Sequence, residues 1–186
     1  MPVKNKAYFK GLLATFVFCF LSGLPAAPQG ISAATLVDYQ ADVQSQDSVL
    51  KAFYESLTFP EGAGPDWGRF RNLFASATVP LIRTTPGAVL VTDLNGFLDN
   101  FGLRIKSGSL NSFFEGEVFR KTEIYGNIAQ VISTYRKGVN TTDPQKFVRG
   151  VNSLQIFFKD GRWWIASLMW EDESLANPIP AKYLKK

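Results

Sequence analysis

The sequence contains no histidine, and its only cysteine is Cys19. Without histidine, the side chain that most often moves protons near neutral pH is missing, and so is the commonest metal ligand. One cysteine cannot close an internal disulfide or build a thiolate zinc site. Serine–histidine triads, cysteine–histidine dyads and most zinc centres are thereby excluded. Charge is also sparse. Charged residues make up 19% of the chain against 46% hydrophobic, so a packed core is expected rather than a disordered polymer. At 186 residues the chain has room for one ordinary domain.

The net charge of +4 is unevenly placed. Lys4, Lys6 and Lys10 precede an apolar run from Gly11 to Leu24, and no acidic residue occurs before Asp38. That run is shorter than the roughly 18–20 residues a membrane-crossing helix needs. Pro25 breaks it, and Ser32-Ala33-Ala34 supplies small residues at a peptidase site. The order is that of a secretory signal peptide over 1–34, cleaved after Ala34 or Ala33, with an uncleaved anchor as the alternative. The bulky Phe16-Val17-Phe18 before Cys19 speaks against lipidation. Export to the periplasm or the exterior follows, with no stable membrane anchor after cleavage. The remaining chain keeps 17 basic and 16 acidic side chains and no cysteine, which suits an oxidising compartment. Its near-neutral charge, with Arg69, Arg71, Lys182, Lys185 and Lys186 scattered, excludes a nucleic-acid stripe.

A flexible stretch over 35–46 is expected before a domain spanning 47–186. Val49, Leu50, Phe53, Tyr54 and Leu57 recur at helical spacing. Asp66 is placed to cap a second helix carrying Trp67, Phe70, Leu73 and Phe74, and Asp93 to cap a third that ends at Ser107-Gly108. Short extended pieces flank Thr84-Thr85-Pro86-Gly87. From Phe113 the period becomes two, predicting strands over 113–125, 128–136, 147–158 and 162–170 joined by Gly126-Asn127 and Asp160-Gly161 turns. The fold class is α+β, with three N-terminal helices packed on a curved antiparallel sheet.

Regular pairing from those turns sets Phe157 opposite Trp164, Gln155 opposite Ala166, Ser153 opposite Leu168 and Val151 opposite Trp170. Leu154, Asn152, Ser167 and Met169 then share the other face. Both faces read as largely apolar, which implies covers on both sides: the helices on one and a second copy of the chain on the other. In the first hairpin, Ile124, Thr122, Arg120 and Val118 face Ala129, Val131, Ser133 and Tyr135. Glu117 falls opposite Arg136, and Glu123 opposite Gln130, on the solvated side.

The segments "FRKTEIYGNIAQVISTY" (119–135), "RGVNSLQ" (149–155) and "GRWWIASLMW" (161–170), preceded by "FRNLFASATV" (70–79), resemble the nuclear transport factor 2-like, or SnoaL-like, superfamily, in an exported bacterial branch of it. The resemblance covers nearly all of 47–184. It implies a cystatin-like cone, a sheet wrapped around helices, often dimeric through the sheet's outer face. Because this fold hosts isomerases, dehydratases and binding domains alike, function must come from the site. Where ketosteroid-isomerase-like members carry an acidic base, this chain has Pro80, Leu81 and Ile82. Dehydratase-type members use a histidine, and this chain has none.

The first reading is therefore an exported, non-catalytic cone domain that binds a small molecule or serves as a homodimeric interaction module. No cofactor and no metal are expected. Arg120, Ser133, Tyr135, Tyr54 and Trp170 are its candidate ligand contacts, since an Arg and a Tyr in a dry cone can hold a carbonyl or an anion. The alternative is a cofactor-independent lyase or isomerase acting on a small apolar carbonyl compound, with Glu123 or Asp99 as base and Tyr135 or Arg120 at the oxyanion. An ordered Asp or Glu at the cone floor, within hydrogen-bond reach of Tyr135 or Tyr54, contradicts the non-catalytic reading. Glu171-Asp172-Glu173 reads as a solvated strand end.

Overall fold

A computed structural model of the chain describes residues 38–184. The signal peptide expected over 1–34 lies outside the described residues. Among those described, no helix is long and apolar enough to cross a membrane.

Helix α1 (Gln46–Leu57) starts at a reciprocal cap: Ser45 Oγ accepts from the Ser48 amide at 3.0 Å, and Ser48 Oγ accepts from the Ser45 amide at 3.0 Å. Helix α2 (Trp67–Asn72) is short and opens at Asp66, whose carboxylate accepts from the Arg69 amide. Arg69 ties α2 to α1 through Glu55 at 2.9 Å and to the 3-10 turn Gln40–Val43 before it through Asp42 at 2.7 Å. Strands β1 (Pro80–Thr85) and β2 (Ala88–Asp93) form a hairpin, and Asp93 then caps helix α3 (Leu94–Lys106). Strands β3 (Phe113–Tyr125), β4 (Ile128–Val139), β5 (Val148–Lys159) and β6 (Arg162–Asp172) complete the molecule.

The predicted elements all form, and both caps are where the sequence put them. Two architectural expectations change. The helices are not all N-terminal, because α3 follows the first hairpin. Nor is the sheet purely antiparallel: its order is β2-β1-β6-β5-β4-β3, and β1 runs parallel to β6. The fold is a curved, mixed six-stranded sheet with helices on its inner face.

The turns match their sequences. Asp160 and Gly161 both carry positive φ, at 54° and 78°, and in the other hairpin Gly126 takes φ 55°. Regular pairing starting from these turns does not persist, however. Between Glu117 and Phe119 the β3–β4 ladder skips Val118, and between Gln155 and Ile156 the β5–β6 ladder skips Ala166. These are β-bulges, where one extra residue bends the strand and exchanges the faces of everything beyond it.

The second bulge corrects the expected face assignment. Phe157 does oppose Trp164, but Gln155 opposes Ser167, Ser153 opposes Met169, Asn152 opposes Trp170 and Val151 opposes Glu171. Leu168 and Trp170 thereby join Leu154 and Asn152 on the inner face, while Ser167 and Met169 turn outward. The outer face is more polar than regular pairing predicted, and the inner face is apolar enough to carry the core.

That core is aromatic. Phe53 packs on Phe70, which stacks on Phe97 at a centroid distance of 5.8 Å; Phe97 contacts Phe101, and Phe101 meets Phe113 edge-on at 5.4 Å. Fully burying each such ring contributes roughly 1.5–3 kcal/mol. The stripe of rings binds α1 and α3 to the inner sheet face and leaves a space between them that residues of all six strands line.

Candidate functional site

That space is a cavity of about 590 Å³, within the size range of small-molecule sites. Its walls are Phe53, Leu57, Phe97, Phe101, Phe113 and Trp170. Its polar groups are Glu115, Tyr135, Lys137, Asn152 and Asp172 from the strands, with Arg83, Asn100 and Arg104 toward the exposed rim.

Cross-strand rows explain the assembly. Tyr135 on β4 stands beside Gly150 on β5, and Gly150 stands beside Asp172 on β6. Having no side chain, Gly150 lets the Tyr135 ring lie over β5, and the hydroxyl donates to Asp172 Oδ1 at 2.5 Å. Lys137, two residues along β4, donates to the same oxygen, and Arg83 reaches Asp172 Oδ2 at 3.3 Å. Burial opposes the charge on Asp172, but the Lys137 hydrogen bond and attraction, with Tyr135 and Arg83, hold its carboxyl below the ordinary value. Burial first, and then the bond to this anion, pushes the Tyr135 hydroxyl up, so it stays a donor.

Glu115 owes its place to the Val118 bulge. Beyond the skipped residue, Glu117 pairs with Tyr135 and Glu115 with Lys137, so both acids turn to the inner face. Burial pushes the Glu115 carboxyl up to about 7; Lys137 and the Asn152 hydrogen bond pull the other way, and Asp172 adds to the rise. Asn152 Nδ2 donates to Glu115 Oε1 at 3.3 Å, and Oε2 has no partner among the described residues. A carboxyl that is half-ionised near neutral pH, lines an apolar-walled cavity and keeps one oxygen without a partner among the described residues is suited to taking a proton from carbon.

Behind this floor runs a second chain of hydrogen bonds. Asn152 Nδ2 also donates to the Tyr54 hydroxyl at 3.1 Å, Tyr54 to Ser133 Oγ at 2.6 Å, and Ser133 to Glu117 Oε1 at 2.6 Å. The direction is fixed by its ends, because an amide NH₂ can only donate and a carboxylate can only accept. Glu117 is gripped by Arg120 through both oxygens, at 2.8 and 2.6 Å, and Arg120 also pairs with Asp47. Burial, followed by the nearby Glu115, raises the Tyr54 hydroxyl well above its ordinary value.

The expected site residues divide accordingly. Tyr135 and Trp170 line the cavity, Trp170 with its ring edge-on to Phe97 at 6.0 Å. Tyr54 and Ser133 are buried behind it and support Asn152 instead of meeting the cavity. Arg120 is a correction: it lines a neighbouring cavity of about 420 Å³ and is committed to Glu117 and Asp47. Glu117 is another, since it sits on the inner face and not opposite Arg136. Glu123 and Asp99 are corrected as well. Glu123 lies exposed near the β3–β4 turn, where a hydrogen bond from Lys121 holds its carboxyl low, and Asp99 points to solvent from α3. Neither lines the cavity.

The residues missed were Glu115, Lys137 and Asp172. Asp172 was hidden in an acidic run that strand alternation splits: Glu171 bonds Thr84 at 2.6 Å, Glu173 pairs with Arg149, and only Asp172 turns inward. Through Asp172, hydrogen-bonded to Tyr135, the cavity holds an acid within reach of one of the two tyrosines that the sequence singled out.

No protein-family model matches the sequence, and no curated protein is significantly similar to it. Solved structures with a similar fold include a nuclear transport factor 2-like protein of unknown function from Silicibacter pomeroyi, at 13% identity over 68% of this chain and 92% of that one, TM-score 0.48. A cystatin-like protein of unknown function from Nostoc punctiforme is similar at 10% identity over 58% and 77% of the two chains, TM-score 0.44. A hexachlorocyclohexane dehydrochlorinase of the LinA type from Novosphingobium barchaimii is similar at 13% identity over 57% and 73%, TM-score 0.44.

Proposed function

We propose that this exported domain is an acid–base catalyst, a lyase or isomerase that takes a small, partly apolar carbonyl compound into the cone and needs no cofactor. One observation carries the reading: the Glu115 carboxyl, pushed to about 7, presents a free oxygen to an aromatic-walled cavity that also holds the Lys137 ammonium. Glu115 accepts the proton from the carbon beside the carbonyl. The electron pair moves onto the carbonyl oxygen, where Lys137, with N–H donors beyond the one given to Asp172, faces the developing charge. In a β,γ-unsaturated substrate Glu115 then returns the proton to the γ-carbon as the electron pair comes back from oxygen and the double bond shifts. In a lyase the returning pair forms the α,β double bond and the leaving group departs from the β-carbon with its bonding electrons. Tyr135 and Asp172 hold Lys137 in position, and Asn152 orients Glu115.

The test has two readouts. Carbon-13 NMR of glutamate-labelled protein is expected to show one carboxyl titrating near 7 that Glu115→Gln removes; a Glu115 titration near 4.5 overturns the reading. Second, a panel of small ketones in deuterated water is expected to exchange its α-protons with the protein present. The rate rises through pH 7 and falls at least a hundredfold in Glu115→Gln.

Two accompanying expectations belong to the same proposal. Export and cleavage after Ala34 predict a mature N-terminus at Thr35 in the periplasm or medium, read by N-terminal sequencing. Pairing of two copies through the outer sheet face draws on Phe157, Trp164 and the 45% exposed Met169. Sedimentation at micromolar concentration is expected to show a dimer that Trp164→Arg shifts toward monomer.

A further inference from the structure

We propose that the substrate is itself an anion, an apolar body ending in a carboxylate that Arg104 takes at the cavity rim. This rests on the acid–base reading of Glu115 and goes further, because it fixes the class of molecule that enters.

The charge inventory of the cavity leads there. It contains three cationic side chains, Arg83, Lys137 and Arg104, and two acids, Glu115 and Asp172. Asp172 is already matched by Lys137 and Arg83. Glu115 offers less than a full negative charge near neutral pH, so positive charge is left over. Arg104 embodies the excess: it lines the cavity, and its guanidinium has no hydrogen bond or ion pair with a side chain among the described residues. Arg69, Arg83, Arg120 and Arg149 are each paired with a carboxylate, Arg71 and Arg162 bond asparagines and Arg136 lies over Phe114 and Phe147. Among these arginines Arg104 alone combines an unpaired guanidinium with a place in the cavity lining.

The placement adds shape to the charge. Arg104 lies on the face of α3 that also carries Phe97, Asn100 and Phe101, at spacings of three, four and seven residues, and all four line the cavity. The rim therefore offers a forked donor with the Asn100 amide one turn away, above rings that accept an apolar body. A guanidinium fork matches the two oxygens of a carboxylate. Low-dielectric walls strengthen that attraction and steer anions inward. A carboxylate at the rim also stands apart from Glu115 on the floor: the floor residues Phe113, Tyr135 and Asn152 are buried, whereas Arg104 is exposed.

The experiment measures binding of three probes to the wild-type protein by calorimetry at pH 7: 4-phenylbutyrate, its neutral amide, and acetate. The acid is expected to bind at least tenfold more tightly than the amide, and acetate at least tenfold more weakly than phenylbutyrate. Arg104→Gln is expected to abolish the acid's advantage while leaving amide binding unchanged, and Arg104→Lys to retain part of it. Equal binding of acid and amide, an advantage that survives Arg104→Gln, or no binding of any probe overturns the proposal. Glu115→Gln separates the two readings. It removes exchange activity yet retains, or tightens, phenylbutyrate binding. If Glu115 titrates near 4.5 while the Arg104-dependent preference stands, catalysis fails and the anion site remains. If the preference vanishes while Glu115 titrates near 7, only the substrate class falls.

Discussion

Tyr135 reaches Asp172 across Gly150: the three stand side by side on β4, β5 and β6, and the hydroxyl spans the middle strand to donate at 2.5 Å. This contact turns a strand-end aspartate into the fixed anion of the cavity and holds Lys137 beside Glu115. Replacing the glycine is expected to disrupt it. A Cβ at position 150 overlaps the Tyr135 ring and comes within 2.6 Å of the Glu171 carbonyl, so Gly150→Ala must displace one or the other. The expected cost is about 2–3 kcal/mol in urea unfolding, together with a fall in the Asp172-dependent activity.

Glu115→Gln changes how stability depends on pH. With a carboxyl at about 7 in the folded chain against 4.5 as the ordinary value, the folded state binds more protons between those pH values. Stability from this group is therefore complete below pH 4.5, declines as pH rises toward 7 and is flat above. The glutamine variant lacks that decline. The gap between the two proteins is expected to move in the variant's favour by on the order of 3 kcal/mol from pH 4.5 to 7.5, followed by thermal or urea unfolding. Asp172, held low, acts only in more acidic solution, where stability is lost as pH falls through its depressed value.

Asp172→Asn leaves Lys137 and Arg83 without their shared anion. Removing one member of a partly buried ion pair strands the other charge, at a cost of about 2–4 kcal/mol. The variant is also expected to lower the Glu115 titration, because a negative neighbour is gone and Lys137 is free to turn toward it. Carbon-13 NMR of the Glu115 carboxyl checks the direction.

Tyr54→Phe cuts the supporting chain between Asn152 and Ser133. Leaving buried donors and acceptors unsatisfied costs about 1–3 kcal/mol. The Glu115 titration is expected to stay near 7, because burial is its main cause. A large downward shift would assign Tyr54 a direct electrostatic role.

Glu123→Gln and Asp99→Asn are expected to change stability by less than about 0.5 kcal/mol and leave α-proton exchange unchanged, as exposed substitutions away from the cavity do. Loss of exchange in either would return the base to the positions first proposed from the sequence.

Much of this protein is legible along the chain. The caps at Asp66 and Asp93, the switch of period at Phe113 and the turns at Gly126-Asn127 and Asp160-Gly161 are local signals, and each element forms where they point. Counting back from the turns works as far as Arg120 opposite Ser133 and Phe157 opposite Trp164. Past Val118 and Ala166 it fails, and the site lies past them.

The sequence by itself determined the α+β class, the inner helix faces and the chemistry denied by the missing histidine, because periodicity, caps and composition act over a few residues. Only the tertiary structure decided which acids face the cavity. A bulge is a compromise between neighbouring strands that curve together, and no signal at Val118 or Ala166 announces it. The consequence is large because side chains alternate: one unpaired residue brings Glu115 to the floor beside Lys137, and folding across Gly150 makes Asp172 the partner of Tyr135.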